Sequence, residues 1–216
     1  MSEPPEEAQQ GLPRQPRKAE DFDASYAGTP PWDIGRPQAA FLRLAESGLI
    51  TGRVLDAGCG TGEHALMCAS LGLETTGIDA APTAIGLAKR KARERKLDVR
   101  FAVWDAFDLA ALGEQYDTVI DSGLFHTFAD DDRCLLVQSL RAATVPGGRY
   151  YLLCFTDQQP GDWGPRRVSQ GEIRASFADG WRVEEIEAAT FEVTLGPGSP
   201  AGGDGALAWL ATITRT

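Results

Sequence analysis

Histidine is scarce in this sequence, and positive charge is outnumbered. The only histidines are His64 and His126, and the four cysteines, Cys59, Cys68, Cys134 and Cys154, include no C-x-x-C pair. No zinc-type ligand cluster is expected from such a set, and no metal site is predicted. The cysteines fall on predicted buried elements or in a glycine loop, where a free thiol behaves as a small hydrophobe. Lys and Arg number 21 against 31 Asp and Glu, a formal net charge of −10. Nucleic acid and anionic membrane surfaces both ask for a basic face, so neither is expected as a partner. No apolar run approaches the roughly 18 residues of a membrane span, and no apolar signal core follows Met1. A soluble, cytoplasmic chain is expected, as a monomer or weak homodimer.

What is present is organised around Val54-Leu55-Asp56-Ala57-Gly58-Cys59-Gly60-Thr61-Gly62. A short apolar strand ends in an acid and alternating glycines, and an apolar helical pattern through Ala65, Leu66, Cys68, Ala69 and Leu71 follows. Glycines there let the chain turn sharply and approach a ligand without a Cβ in the way. The helix start presents unpaired N–H groups that suit a carboxylate. The spacing is G-x-G-x-G, not the G-x-G-x-x-G of dinucleotide sites. Asp56 sits badly beside a pyrophosphate and well beside an ammonium or sulfonium. S-adenosylmethionine (SAM) carries a carboxylate, an ammonium, a sulfonium and an adenosine, and so matches each part.

The 216 residues suit one domain with an appended arm. Met1 to Glu20 is rich in Pro, Glu, Gln and Arg and predicts a disordered tail, with residues 21–216 forming a single domain. Within it, residues 21–48 make an N-terminal lid and helix. The lid contains Phe22, Tyr26 and Thr29-Pro30-Pro31-Trp32-Asp33-Ile34-Gly35-Arg36, which can cover a pocket or simply strap the core. Pro37 opens a helix to about Ser47.

Strands are predicted at Arg53–Ala57, Glu74–Ile78, Val99–Val103, Tyr116–Asp121 and Arg149–Phe155. Helices run from Glu63 to Leu71, from Pro82 to Lys96 and, capped by Asp130, to Thr144. The basic run Lys89 to Lys96 reads as a solvated helix face. Pro146-Gly147-Gly148 turns the chain into the fifth strand, and Ser169 with Glu172 forms a capping box for a helix to Phe177. Trp181–Leu195 and Ala206–Thr214 form an antiparallel pair at a sheet edge, joined by a Gly- and Pro-rich loop from Gly196 to Gly205. The alternation implies an α/β fold with a mostly parallel sheet covered on both faces, and ligands at the carboxyl ends of its strands. Asp56, Asp79, Asp105 and Asp121 all fall at such ends and together describe an acidic crevice. Asp79 lies about 20 residues after Asp56, the spacing of a ribose-binding acid. Asp105 suits either an adenine amino group or a turn cap.

Asp56-Ala57-Gly58-Cys59-Gly60-Thr61-Gly62, with Asp79 and Pro146-Gly147-Gly148, resembles a class I SAM-dependent methyltransferase. That resemblance implies a three-layer, Rossmann-like sheet of seven strands whose last strand is antiparallel. Pro31 to Arg36, Asp121-Ser122-Gly123-Leu124-Phe125-His126 with Asp130 to Arg133, and Gly164-Pro165 with Val168 and Glu172-Ile173 are similar to the thiopurine methyltransferase superfamily. Its members include thiol and halide methyltransferases and bacterial enzymes acting on heterocyclic toxins and quinone-like compounds. The resemblance implies that Trp32 lies over the cofactor. It gives the methionine part to Asp56, Gly58 and Gly60, the ribose to Asp79, and the adenine to Trp104 and Asp105. Thr61, Gly62, Ala80, Ala106 and Asp121 complete the candidate cofactor residues. Tyr26, Phe125, His126 and Trp163 are the candidate acceptor residues, with a small-molecule methyl acceptor as partner. The acceptor atom is S, N or O.

Methyl transfer from a sulfonium asks the protein mainly to align a nucleophile and exclude water. His126, in the loop leaving the fourth strand, is the candidate general base; the alternative is that it packs or caps the next helix. Two other readings stay open: a nicotinamide-dependent oxidoreductase, disfavoured by Asp56 and by the lack of a Tyr-x-x-x-Lys relay, and a SAM-binding protein without turnover.

Overall fold

The computed structural model describes residues 18–161, 163–194 and 205–216. The expected tail up to residue 17, Leu195 and the Gly- and Pro-rich loop through residue 204 lie outside the described residues.

Seven strands form one sheet: β1 (Val54–Ala57), β2 (Thr75–Asp79), β3 (Arg100–Val103), β4 (Tyr116–Ser122), β5 (Thr144–Phe155), β6 (Trp181–Phe191) and β7 (Ala206–Arg215). Their order is β3-β2-β1-β4-β5-β7-β6. β1 to β5 pair in parallel, and β7 runs antiparallel to both β5 and β6. Strand side chains alternate between faces, and β5 shows the result. Tyr150, Leu152 and Cys154 enter the core shared with α5 (Asp130–Ala143) and α6 (Gln170–Ser176). Tyr151, Leu153 and Phe155 enter the opposite core, shared with α2 (Ala39–Glu46) and α3 (Glu63–Ser70). α4 (Pro82–Arg95) packs Ile85, Ala88 and Ala92 against Leu66 and Phe101.

Several boundaries differ from the sequence reading. Pro146-Gly147-Gly148 does not precede β5 but loops out within it: Tyr116 pairs with Thr144, Thr118 with Arg149, and Gly147 takes φ 78° to let the extra residues leave the ladder. α5 is capped by Ala129, not Asp130. Asp130, Asp131 and Asp132 occupy its first turn, where acids meet the positive end of the helix dipole. β6 ends at Phe191. Cys134, expected inside, is exposed. The expected tail gives way at Ala19 to a short helix, α1 (Ala19–Ser25). Its composition is polar, and a tertiary contact holds it: Asp23 accepts the Thr83 N–H at 2.8 Å, at the start of α4. The capping box of Ser169 and Glu172 is present as read.

The register aligns the strand ends that matter. Ala57 pairs with both Ile78 and Asp121, and Asp79 pairs with Val103, so Asp56, Asp79 and Asp121 approach one edge of the sheet. Among the described residues no helix is long and apolar enough to cross a membrane, and no group of three or more His, Cys, Asp or Glu is placed to hold a metal ion.

Candidate functional site

At that edge the glycine loop forms a cradle. Gly60 takes φ +52°, and a Cβ there would lie 2.8 Å from the Tyr26 hydroxyl. Gly62 caps α3 at φ +87°, and a Cβ there would meet Phe101 at 2.7 Å and Ala88 at 2.9 Å. Any side chain at either position would be strained by the backbone and would clash. Gly58 shares the positive φ, at 71°. Asp79 fixes the loop, accepting the Gly60 N–H at 2.8 Å on one oxygen and the Ala81 N–H at 2.8 Å on the other, with Ala80 between.

Asp56 is 1% exposed. Its Oδ2 accepts the Ala65 N–H at 3.0 Å, and its Oδ1 is buried and makes no hydrogen bond among the described residues. Burial, with Asp79 and Asp121 nearby, pushes its pKa up to about 7. A buried carboxylate oxygen with an open valence beside a glycine-lined turn has the chemistry to take an ammonium, so the residues fit the aminoacyl end of SAM. Burial also raises the pKa of Asp79.

The acidic crevice is narrower than the four aspartates suggested. Asp121 is fully buried, and its carboxylate is taken up internally, by the Leu124 N–H at 2.7 Å, the Phe125 N–H at 3.0 Å and the Tyr150 hydroxyl at 2.7 Å. Burial pushes its pKa up to about 7 as well. Asp105 caps the 3-10 turn Ala106–Leu112 by accepting the Phe107 N–H at 2.9 Å. Trp104 donates to the Asp108 carbonyl at 2.9 Å, and Ala106 is a core residue at 8% exposure.

Over the cradle lies the segment that carries Trp32. Its indole N–H donates to the Tyr26 hydroxyl at 3.0 Å, and its ring meets Phe22 and Tyr26 edge-on. Burial and the neighbouring Asp79 raise the Tyr26 pKa well above the usual phenol value. Asp33 accepts the Thr61 hydroxyl at 2.9 Å, and Lys91 donates to Thr61 at 2.7 Å and to Glu63 at 2.8 Å. Arg95 completes the cluster with two bonds to Glu63, each 2.8 Å. Lys91 therefore leaves the solvated face to which the sequence assigned it, whereas Arg95 stays 43% exposed while it pairs. Their spacing of four residues along α4, which sets both on one face, is the signal the sequence offers for this pairing.

His126 follows the turn at Leu124, which a Cβ at Gly58 would meet at 3.0 Å, and it is 4% exposed between the rings of Phe155 and Phe191 at 5.1 and 5.7 Å. Its Nδ1 accepts the Phe155 N–H at 3.0 Å. The proton of the neutral ring is therefore on Nε2, which faces Gly123. Burial, then Arg133 and Arg167, pushes the imidazole pKa down to about 3. A ring in that state donates a hydrogen bond at neutral pH; it does not take a proton. This departs from the base expected, because the nitrogen with the lone pair is occupied by a main-chain partner 29 residues away.

Trp163 packs edge-on against Phe155 at 5.5 Å, and its buried indole N–H makes no hydrogen bond among the described residues. Phe125 is not brought to this surface: it is fully buried in the main core, beneath the Arg133 guanidinium at 4.6 Å and beside Phe177. Phe155 and Phe191 were missed. Phe155 ends the apolar half of β5 and Phe191 ends the charge-rich β6, and nothing local marks either as a site residue.

The comparisons with known proteins bear on the family and the fold. Residues 54–148 match the family described as a methyltransferase domain. The chain is 41% identical over 179 residues to the 2-heptyl-1-hydroxyquinolin-4(1H)-one methyltransferase of Mycobacteroides abscessus, covering 78% of this chain and 79% of that protein. It is 30% identical over 179 residues to the probable thiol methyltransferase 2 of Arabidopsis thaliana, covering 79% and 76%. A structure solved in work on the conversion of a disulfide bond into a thioacetal group during echinomycin biosynthesis superposes with a TM-score of 0.81 at 39% identity, covering 92% of this chain and 93% of that one.

Proposed function

This chain belongs to the class I SAM-dependent methyltransferases, and we propose that its small-molecule acceptor takes the methyl on a sulfur or oxygen that is already ionised. The single observation behind this reading is the hydrogen bond from the Phe155 N–H to His126 Nδ1, which leaves the ring a donor. A donor near the reacting atom stabilises an anion, and a thiolate or an oxyanion needs no base. The M. abscessus and Arabidopsis relatives are named for a hydroxyquinolone and a thiol, both bearing an acidic O–H or S–H.

Bound in the cradle, SAM supplies an electrophilic methyl on a sulfonium. The chain does the rest. We assign the ammonium to Asp56, the methionine backbone to Gly58, Gly60 and Gly62, the ribose to Asp79 and Ala80, and the adenine to Trp104, Asp105 and Ala106. Thr61 ties the loop to the covering segment, and Asp121 holds the 124–127 turn that presents His126. Trp32 and Tyr26 close the site over the methyl, and Trp163 offers its N–H to the acceptor. Their role is alignment and exclusion of water, and well-oriented reactants can save about 7–11 kcal/mol of barrier. We further propose that residues 21–216 act as one domain, a cytoplasmic monomer or weak homodimer. The net charge of −10 supports working apart from nucleic acid.

The test is product analysis by mass spectrometry with SAM and four acceptors: thiophenol, an N-hydroxyquinolone, a catechol and an imidazole. Methylated thiol or N–O product formed together with S-adenosylhomocysteine is the expected result. Methylation of the imidazole alone would contradict it.

A further inference from the structure

Glu192 directly follows β6, and one short segment engages each of its polar groups. Its Oε1 accepts from Arg36 at 2.7 Å, and its Oε2 accepts from Arg36 at 3.1 Å and from the Ala39 N–H at 2.9 Å. Its own N–H donates to Gln38 Oε1 at 2.8 Å, and its carbonyl accepts from Gln38 Nε2 at 3.0 Å. Two residues on, the Thr194 N–H donates to the Pro31 carbonyl at 2.8 Å. A surface ion pair by itself contributes little. This one is bidentate, and it is backed by Gln38, a 2% exposed amide that reads the Glu192 main chain in both directions. Such an arrangement fixes a geometry.

What it fixes is the neighbouring residue, Phe191. That ring is 4% exposed, its centroid lies 5.3 Å from Phe155 and 5.7 Å from His126, and it sits 3.0 Å from where a Gly123 Cβ would be. The segment on the other side of the clamp begins with Trp32 and Asp33, and Asp33 reaches the glycine loop at Thr61. Segment 31–39 thus grips the cofactor cradle at one end and the Phe191 wall at the other.

We propose that Glu192 is a positioning residue for the acceptor: held by Arg36, Gln38 and Ala39, it keeps Phe191 against His126 and so sets the wall on which the acceptor lies. The proposal rests on the reading of His126 and Phe191 as the acceptor side. Glu192 acts through Phe191, so its loss should disturb the acceptor and spare the cofactor.

The variants are Glu192→Ala and Glu192→Gln, the latter keeping an oxygen for the Ala39 N–H. Calorimetry with SAM, steady-state kinetics with thiophenol and an NMR titration of the imidazoles are measured on each. The chain has only two histidines, so the His126 signal is readily assigned. The charged groups near that ring are Arg133 on α5 and Arg167 before α6, and both stay in place in these variants. For Glu192→Ala the expected result is a SAM Kd within about twofold of wild type and a kcat/KM for thiophenol down about tenfold or more, the scale of a small misplacement. The His126 midpoint should move up by about one pH unit as water reaches the ring. Glu192→Gln should fall between. Parallel losses in SAM affinity and acceptor turnover, or an unchanged His126 midpoint in folded Glu192→Ala, would overturn the proposal. Should Glu192→Ala not fold, Arg36→Ala leaves the Gln38 and Ala39 contacts in place. It must show the same directions at smaller size, and no change there overturns the proposal equally. The titration needs no acceptor. A wild-type protein that methylated nothing would sink the functional reading, while the titration would still show whether Glu192 holds Phe191 against His126.

Discussion

The Phe155 N–H donates to His126 Nδ1 across 3.0 Å, and that bond fixes which imidazole nitrogen carries the proton. Nε2–H is left facing Gly123, between Phe155 and Phe191. The ring is a hydrogen-bond donor whose pKa lies near 3. On this basis we propose that acceptors are selected for their acidity.

His126→Ala should therefore slow every acceptor by a similar factor. A hydrogen bond to a charged group contributes about 1.5–3 kcal/mol, so the loss is about ten- to 150-fold, with a further loss from the cavity left between two phenylalanines. Kinetics with thiophenol and a weakly acidic phenol provide the check. A loss confined to the weakly acidic phenol would restore the general-base role.

Asp79→Ala should weaken SAM binding by about 1.5–3 kcal/mol, the range for a hydrogen bond to a charged group. The same change also frees the Gly60 N–H, which Asp79 holds at 2.8 Å, so the cradle loosens as well. Calorimetry reads this directly. Unchanged affinity in both Asp79→Ala and Asp56→Ala would remove the cofactor assignment.

Segment 22–36 should gain amide protection when SAM is added. Its anchor on the cradle is the Thr61 hydroxyl to Asp33 bond at 2.9 Å, supported by Lys91. Asp33→Ala should lose that gain, and with it about 1–2 kcal/mol of the coupling between segment and cradle. Hydrogen exchange with and without SAM is the measurement. Equal protection in both states would make the segment a packing strap.

Much of this was legible in the sequence, and the parts that were not share a cause. The strands and the glycine turn are local: period-2 apolar runs and glycines at positive φ are written in neighbouring residues. The fates of the acids are not. Asp121 looked like Asp79, each an acid at a strand end. The difference lies in Tyr150, on the adjacent strand, and in the turn at Leu124 and Phe125 that folds back over the carboxylate. Lys91 looked solvated until the glycine loop brought Thr61 and Glu63 beneath it. α1 has no apolar face that marks it, and it is visible only through Asp23 on Thr83. The glycine pair after Pro146 marks a turn in any reading. That it is a bulge within β5 depends on the pairing with β4.

The buried acids give stability a pH dependence. Asp121 has a folded pKa raised to about 7, above its unfolded value. Its favourable contribution is then fully present below about pH 4 and is lost as pH rises through about 7. In Asp121→Asn this component is absent. The variant should be less stable than wild type at pH 5, because an amide cannot accept all the bonds that Asp121 accepts. The gap should narrow toward pH 8, by at most about 1.4 kcal/mol per pH unit. Urea unfolding at several pH values measures it, and a gap that widens with pH would mean that the carboxylate stays ionised in the fold.

The most direct test of the account is the pH–rate profile of methyl transfer across thiols of graded acidity. An acceptor that must arrive ionised gives a kcat/KM that rises with pH and levels off at the pKa of the acceptor itself, so the midpoint moves from one thiol to the next. The account predicts that moving midpoint. A midpoint fixed near pH 6–7 for every thiol, and abolished by His126→Ala, would contradict it and show the histidine to be the base.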